Sequence, residues 1–208
     1  MDRKNFQLLY NQSITHPEDF WAEQAMRLDW ISFPTKIKNT SFQAPDVLIQ
    51  WYEDGILNAC YNCVDRHLST RASDTALIWE ADTPGETRRL TYQDLYEETC
   101  RLANVLKDQG VQKGDRVLIY LPMVPEATIS MLACARIGAI HSVVFGGFSP
   151  QSIANRVDDC SPKIVITSDE ALRGGRILPF KRNIDEAISL ATNHTVKSVL
   201  VLKRTSNP

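Results

Sequence analysis

A chain of 208 residues, 43% apolar and 23% charged, is long enough for one ordinary domain or for an appendage plus part of a larger one, and this composition excludes wholesale disorder. The 23 Lys and Arg against 25 Asp and Glu leave a net charge of −2, which supplies no long-range attraction toward nucleic acid or an anionic membrane surface, so any basic site has to be local. Five cysteines, an odd count scattered along the chain, make a poor disulfide framework and fit a reducing compartment.

The opening Met1-Asp2-Arg3-Lys4 meets only a few apolar residues before Asn11, so no secretory signal is expected and the chain is read as cytoplasmic. The sequons at Asn11, Asn39 and Asn193 then carry no meaning. Residues 1–67 hold Trp21, Trp30 and Trp51 with Pro17, Pro34 and Pro45 and no sustained period, which suggests a wrapping segment with short helices. One such helix is expected to start at Thr15-His16-Pro17-Glu18, with Thr15 as its cap.

From Thr75 the pattern changes. Thr75-Ala-Leu-Ile-Trp-Glu80 and Arg88 to Thr91 read as strands around a turn at Asp82-Thr-Pro-Gly85. Thr91 and Asp94 form a partial capping box, and Leu95, Thr99, Leu102 and Leu106 follow at helical spacing before Gly110. Arg116 to Leu121 is a continuous apolar run of the kind found in strands covered on both faces. A helix is expected from Pro125-Glu126 to Gly138, a second buried strand from Ala139 to Phe145, a turn at Gly146-Gly147, and a helix opened by Ser149-Pro150. Lys163 to Thr167, a helix from about Asn183, and Lys197 to Leu202 continue the alternation. The stretch Val117–Phe148 is too often interrupted by Pro, Glu, Arg and His to cross a membrane. Strands alternating with helices predict an α/β fold with a mainly parallel sheet flanked by helices on both sides. Ligands of such sheets bind beyond the carboxyl ends of the strands, here the loops after Leu121, Phe145, Thr167 and Leu202.

Some chemistries are absent. No two glycines stand at i and i+2 and no Gly-Lys pair occurs, which disfavours a dinucleotide-binding fingerprint and a P-loop. His16, His67, His141 and His194 never pair at helical spacing, and no acidic cluster offers metal-ligand spacing. Cys60-x-x-Cys63 has no second half, so ordinary buried or partly buried thiols are expected there. His141, flanked by Ile140 and Ser142, is expected to be a core histidine. Two loops can hold an anion. Phe145-Gly146-Gly147 leads from a strand into a helix N-terminus, although it also suits a plain tight turn. Arg173-Gly174-Gly175-Arg176 sets two guanidiniums around a backbone a phosphate can approach closely; its alternatives are a flexible solvated loop or a chance match to RGG-type RNA-binding segments.

Trp51-Tyr-Glu-Asp-Gly-x-Leu-Asn58, Asn62-Cys-Val-Asp-Arg-His67, Leu121-Pro-Met-Val-Pro-Glu126, Met131 to Gly138, His141 to Pro150 and Arg173-Gly-Gly-Arg176 together resemble the AMP-forming acetyl-coenzyme A synthetases, and the near-related propionyl-coenzyme A synthetases, of the adenylate-forming ligase superfamily. The resemblance covers essentially the whole chain. It implies residues 1–67 as an N-terminal extension and 68–208 as the first part of the AMP-binding large domain. The implied reaction joins acetate to ATP as acetyl-AMP, releasing pyrophosphate, and then transfers the acetyl group to coenzyme A. ATP, coenzyme A and acetate are the implied substrates and Mg2+ the implied metal, with neither nucleic acid nor membrane as partner. The family's phosphate loop, acyl pocket, metal ligands and catalytic lysine lie in the remainder of the large domain and in a C-terminal domain, and no Ser-Gly or Thr-Gly pair occurs in these 208 residues. The chain alone is therefore expected to be inactive, to name no catalytic residue, and to leave the edge of its last strand exposed. By the same resemblance Phe145, Gly146, Gly147, Arg173, Gly174, Gly175 and Arg176 contact the nucleotide end of coenzyme A. Cys60 departs from the family's pattern. A non-catalytic binding or regulatory module that keeps the fold is the alternative of a different class.

Overall fold

The computed structural model describes residues 2–205 and divides into two compact units, Met1–Asn58 and Ala59–Pro208. The division falls earlier than the boundary after residue 67 that composition suggests.

In the first unit, α1 (Arg3–Thr15) and α2 (Pro17–Ala25) precede an antiparallel pair, β1 (Lys38–Ser41) and β2 (Leu48–Trp51). The sequence reading misses α1, none of whose residues is buried, although Phe6, Leu9, Tyr10 and Ile14 stand at helical spacing. It starts from Asp2, whose carboxylate accepts the Asn5 amide at 2.8 Å. Thr15 therefore ends a helix instead of capping one, and its hydroxyl donates back to the Asn11 carbonyl at 2.9 Å. Helix α2 has no side-chain cap; Pro17 occupies its first turn, with Glu18 and Asp19 complementing the dipole. Further along, the Asp54 carboxylate accepts the Thr35 and Lys36 amides, both at 2.9 Å, and the Thr35 hydroxyl, which together hold its pKa down at about 2.

The second unit opens with α3 (Ala59–Cys63), a 3-10 turn at Asp65–His67 and α4 (Leu68–Arg71). The hairpin β3 (Thr75–Glu80) and β4 (Thr87–Thr91) leads into α5 (Tyr92–Asp108), and the capping box at Thr91 and Asp94 is complete. There follow β5 (Arg116–Tyr120), α6 (Pro125–Ile137), β6 (Ile140–Val143), α7 (Pro150–Cys160), β7 (Ile164–Ser168), β8 (Ala171–Arg173), β9 (Arg176–Leu178), α8 (Phe180–Leu190) and β10 (Ser198–Leu202). Four strands form one parallel sheet in the order β10-β7-β5-β6.

Period-two alternation sends successive side chains of β5 and β7 to opposite faces. Val117, Ile119, Ile164 and Ile166 pack on Ala103 and Leu106 of α5 and on Ala133 and Cys134 of α6. Leu118, Tyr120 and Val165 pack on Ile153 and Val157 of α7 and on Phe180 and Ile184 of α8. Each large side chain so buried contributes roughly 1.5–3 kcal/mol, which makes these two strands the anchor of the unit. Cys134 lies in this core, where burial pushes its thiol up to about 12.

Strand β6 departs from the expectation. It lies at the sheet edge, with Ile140 and Val143 each 54% exposed. The apolar residues around His141 and Ser142 read as a buried strand, but strand order is a tertiary property that apolarity alone does not encode. His141 is exposed with it, so it is not a core histidine. Cys60 and Cys63 also part company: Cys60 is buried, Cys63 exposed, and all five thiols are free. The Arg136 guanidinium donates to both Asp65 oxygens, at 2.7 and 2.8 Å, and to Cys60 Sγ at 3.5 Å, fastening the start of the unit to α6.

Candidate functional site

The chain passes from β5 outward to β6, then crosses back to β7 and on to β10. The winding therefore reverses between β5 and β7, and the crevice for a ligand opens at the carboxyl ends of these strands. On the α7/α8 side of that end stand two segments, the β6–α7 loop and the β8–β9 hairpin.

The β6–α7 loop leaves the sheet at Val144, whose amide donates to the Ile119 carbonyl at 2.9 Å, and turns where the Phe148 amide donates to the Phe145 carbonyl at 3.0 Å. The Ser149 hydroxyl then accepts the Ser152 amide and Pro150 begins α7, as the sequence predicts. Packing requires glycine at 146, against the buried Phe180 ring, whereas Gly147 lies against the exposed Phe145 ring. A Cβ on Gly146 would lie 2.7 Å from Cζ of Phe180, and one on Gly147 would lie 2.7 Å from Cε1 of Phe145.

Residues 171–178 are an antiparallel hairpin, which speaks against the alternative of a flexible solvated loop at Arg173–Arg176. Gly174 and Gly175 both have positive φ, 56° and 72°, the signature of the two-residue type I′ turn that matches strand twist. Register sets Arg173 directly opposite Arg176 and Ala171 opposite Leu178. Ala171 and Leu178 face the core beneath, so the two arginines, two residues further along each strand, share that face. Like charges in direct register repel. Among the described residues neither guanidinium has a carboxylate partner.

The structure brings the two segments together through Arg173. Its Cζ stands 5.6 Å from the centroid of the Phe145 ring, and a Cβ on Gly147 would come within 3.5 Å of its Nη1. Phe145 is 61% exposed and meets Phe148 edge-on at 6.0 Å. Gly174 and Gly175 are the hairpin tip, with nothing within 4 Å of an added Cβ. Arg176 enters the group by its register with Arg173, and Gly146 by its packing on Phe180. The result is an exposed, purely cationic pair beside an aromatic ring and a bare backbone, suited to an anionic group carrying a planar ring. The sequence reading misses Tyr120, Phe180 and Asn183, which lie under the β6–α7 loop. A tyrosine ending a buried strand was the available signal, because such a hydroxyl needs a partner. Among the described residues no cluster of three or more His, Cys, Asp or Glu side chains is placed to hold a metal ion.

Residues 64–207 match the model of the AMP-binding enzymes, and residues 6–63 match that of the acetyl-coenzyme A synthetase N-terminus. The chain belongs to the AMP-binding enzyme family. Acetyl-coenzyme A synthetases are similar to it along nearly its whole length: that of a Bradyrhizobium species (strain ORS 278) is 57% identical over 205 residues, covering 99% of this chain and 31% of the relative. That of Xylella fastidiosa is 53% identical over 208 residues, covering 32% of the relative. The chain thus spans about a third of the length of these curated relatives. An acetoacetyl-CoA synthetase structure from Streptomyces lividans superposes with a TM-score of 0.83 over 95% of this AMP-binding family chain and 30% of that one, at 22% identity, which shows the α/β fold. Among the described residues no helix is long and apolar enough to cross a membrane.

Proposed function

We propose that this chain carries the coenzyme A nucleotide subsite of an AMP-forming acetate–CoA ligase, with residues 1–67 as its N-terminal extension and 68–208 as the opening part of its large domain. The observation that carries the reading is the pair of guanidiniums, Arg173 and Arg176, opposed in register without a carboxylate, with Arg173 facing Phe145 and Gly147. The 3′-phosphate of coenzyme A is a compact dianion that relieves the repulsion between them, and two forked donors can each grip it through paired N–H groups. Adenine, a planar ring joined to that phosphate through the ribose, stacks on a guanidinium plane or on Phe145. Gly174 and Gly175 leave no side chain between phosphate and backbone.

In this role the chain binds and orients; it does not activate the carboxylate. The whole enzyme converts ATP, acetate and coenzyme A to AMP, pyrophosphate and acetyl-CoA through acetyl-AMP, and Mg2+ would supply charge neutralisation there from ligands other than the described residues. The five free cysteines suit a reducing cytoplasmic setting.

A charge-assisted hydrogen bond contributes about 1.5–3 kcal/mol. In a full-length protein bearing this chain, Arg173→Ala is therefore expected to raise the Michaelis constant for coenzyme A about ten- to a hundred-fold. Acetate-dependent exchange of pyrophosphate into ATP, which needs no coenzyme A, stays nearly intact. Equal loss of both half-reactions would return the hairpin to a purely structural role.

A further inference from the structure

We infer that Tyr120 and Asn183 are positioning residues for this subsite: a buried phenol hydroxyl, oriented by an amide, holds the Phe145–Phe148 loop so that Phe145 and Gly147 face Arg173. The inference rests on the coenzyme A reading for its ligand and on geometry for its mechanism.

Tyr120 ends β5 with its side chain fully buried on the α7/α8 face. Its ring stacks on Phe180 at 4.3 Å, and its hydroxyl lies 3.3 Å from the Gly146 carbonyl oxygen and 3.5 Å from that of Phe148. These are long, shared hydrogen bonds, and the third partner gives them direction. Asn183 Nδ2, in the first turn of α8, donates to the Tyr120 oxygen at 3.2 Å. A phenol has one proton. With its oxygen accepting from Asn183, that proton is left to the two loop carbonyls. The carbonyls of residues 146 and 148 are thereby drawn inward, while residues 145 and 147 meet Arg173. Burial also raises the pKa of Tyr120, which keeps the donor protonated.

Helix α8 also anchors the other half of the subsite. The Lys181 amide donates to the Asp169 carbonyl at 3.1 Å, just before the hairpin begins at Ala171. One helix turn thus fastens the base of the hairpin through Lys181 and the opposing loop through Asn183 and Tyr120. A phenylalanine at position 120 would keep the stack on Phe180 and lose only the fastening.

The experiment compares the 208-residue chain with Tyr120→Phe and Asn183→Ala in two arms. Amide hydrogen exchange, which uses no ligand, is expected to quicken at residues 145–148 in both variants and to stay unchanged in β5 and β7. Titration with coenzyme A is expected to weaken about two- to ten-fold in Tyr120→Phe, the range of one neutral hydrogen bond, and to change little further when Tyr120→Phe is added to Arg173→Ala. Unchanged loop exchange overturns the inference whatever the titration shows. Faster exchange with losses that add in full to those of Arg173→Ala also overturns it, because Tyr120 then does not act through that arginine. Equal binding of coenzyme A and dephospho-coenzyme A by the wild-type chain, with faster exchange in the variants, instead overturns the coenzyme A reading and the ligand named here with it.

Discussion

Gly147 lies beside the end of the Arg173 side chain and Gly174-Gly175 follow Arg173 in the chain, and a methyl group added at Gly146 meets surroundings opposite to those at Gly174 or Gly175. On Gly146 it would strike the Phe180 ring at 2.7 Å, and Phe180 is itself buried against Tyr120. On Gly174 or Gly175 it would meet nothing within 4 Å, yet both have the left-handed backbone that L side chains disfavour. Gly146 is glycine because of tertiary packing, Gly174 and Gly175 because of local turn geometry. A dipeptide that looks the same in the sequence thus records two different constraints, and only the second can be read without the fold.

The strongest way to break this comparison is Gly146→Ala. Overpacking a core contact costs about 1–3 kcal/mol, so the melting temperature is expected to fall by roughly 2–10 °C, and coenzyme A binding with it. Phe180→Leu in the same chain makes room for the methyl and should recover part of the loss; no recovery would show that Phe180 is not what confines Gly146. Gly174→Ala comes next. Forcing an alanine into the left-handed region costs about 1–2 kcal/mol, expressed in the hairpin, whose opening need not unfold the sheet. Weaker coenzyme A binding with a nearly unchanged melt is expected, and Gly174→Asn should be close to wild type because asparagine tolerates that conformation. If Asn and Ala at position 174 behaved alike, backbone conformation would not be the constraint. Gly147→Ala should have the smallest effect. Its methyl meets the exposed Phe145 ring, which can swing aside, and touches the end of the Arg173 side chain at 3.5 Å, so stability should hold while coenzyme A affinity falls a few-fold.

The same division between local and tertiary causes decides what could be read from the sequence. The capping box at Thr91 and Asp94 and the Ser149-Pro150 helix start are written within four residues, and the structure reproduces them. The parallel sheet was legible because β5 and β7 carry unbroken apolar runs, Val117 to Tyr120 and Ile164 to Ile166. The edge position of β6 was not, since the apolar residues that flank His141 and Ser142 read as a buried strand and strand order exposes them. The hairpin at 171–178 was half legible: Gly-Gly is a type I′ signal, but three-residue strands are too short to show alternation. Helix α1 was lost because it buries nothing. As for the site, Arg173 and Arg176 were visible as a motif, whereas the pairing of Arg173 with Phe145, and the support of both by Tyr120 and Asn183, belongs to the crossover that joins distant segments.

Acid supplies a further test, confined to the first unit. Asp54 is ionised in the fold down to about pH 2, below the ordinary aspartate value of 3.8. Its latch on Thr35 and Lys36 therefore contributes fully above about pH 4 and is lost as the pH falls toward 2. The Thr35 and Lys36 amide resonances should move with a midpoint near 2. A midpoint near 3.8 would show that those hydrogen bonds do not favour the ionised form.

The central claim, that Arg173 and Arg176 read a phosphate of coenzyme A, is tested most directly by titrating the 208-residue chain with coenzyme A and with dephospho-coenzyme A at the same ionic strength. The two ligands differ only in the 3′-phosphate. The account predicts that coenzyme A binds at least about ten-fold more tightly, the value of one charge-assisted contact. Equal affinities would contradict it.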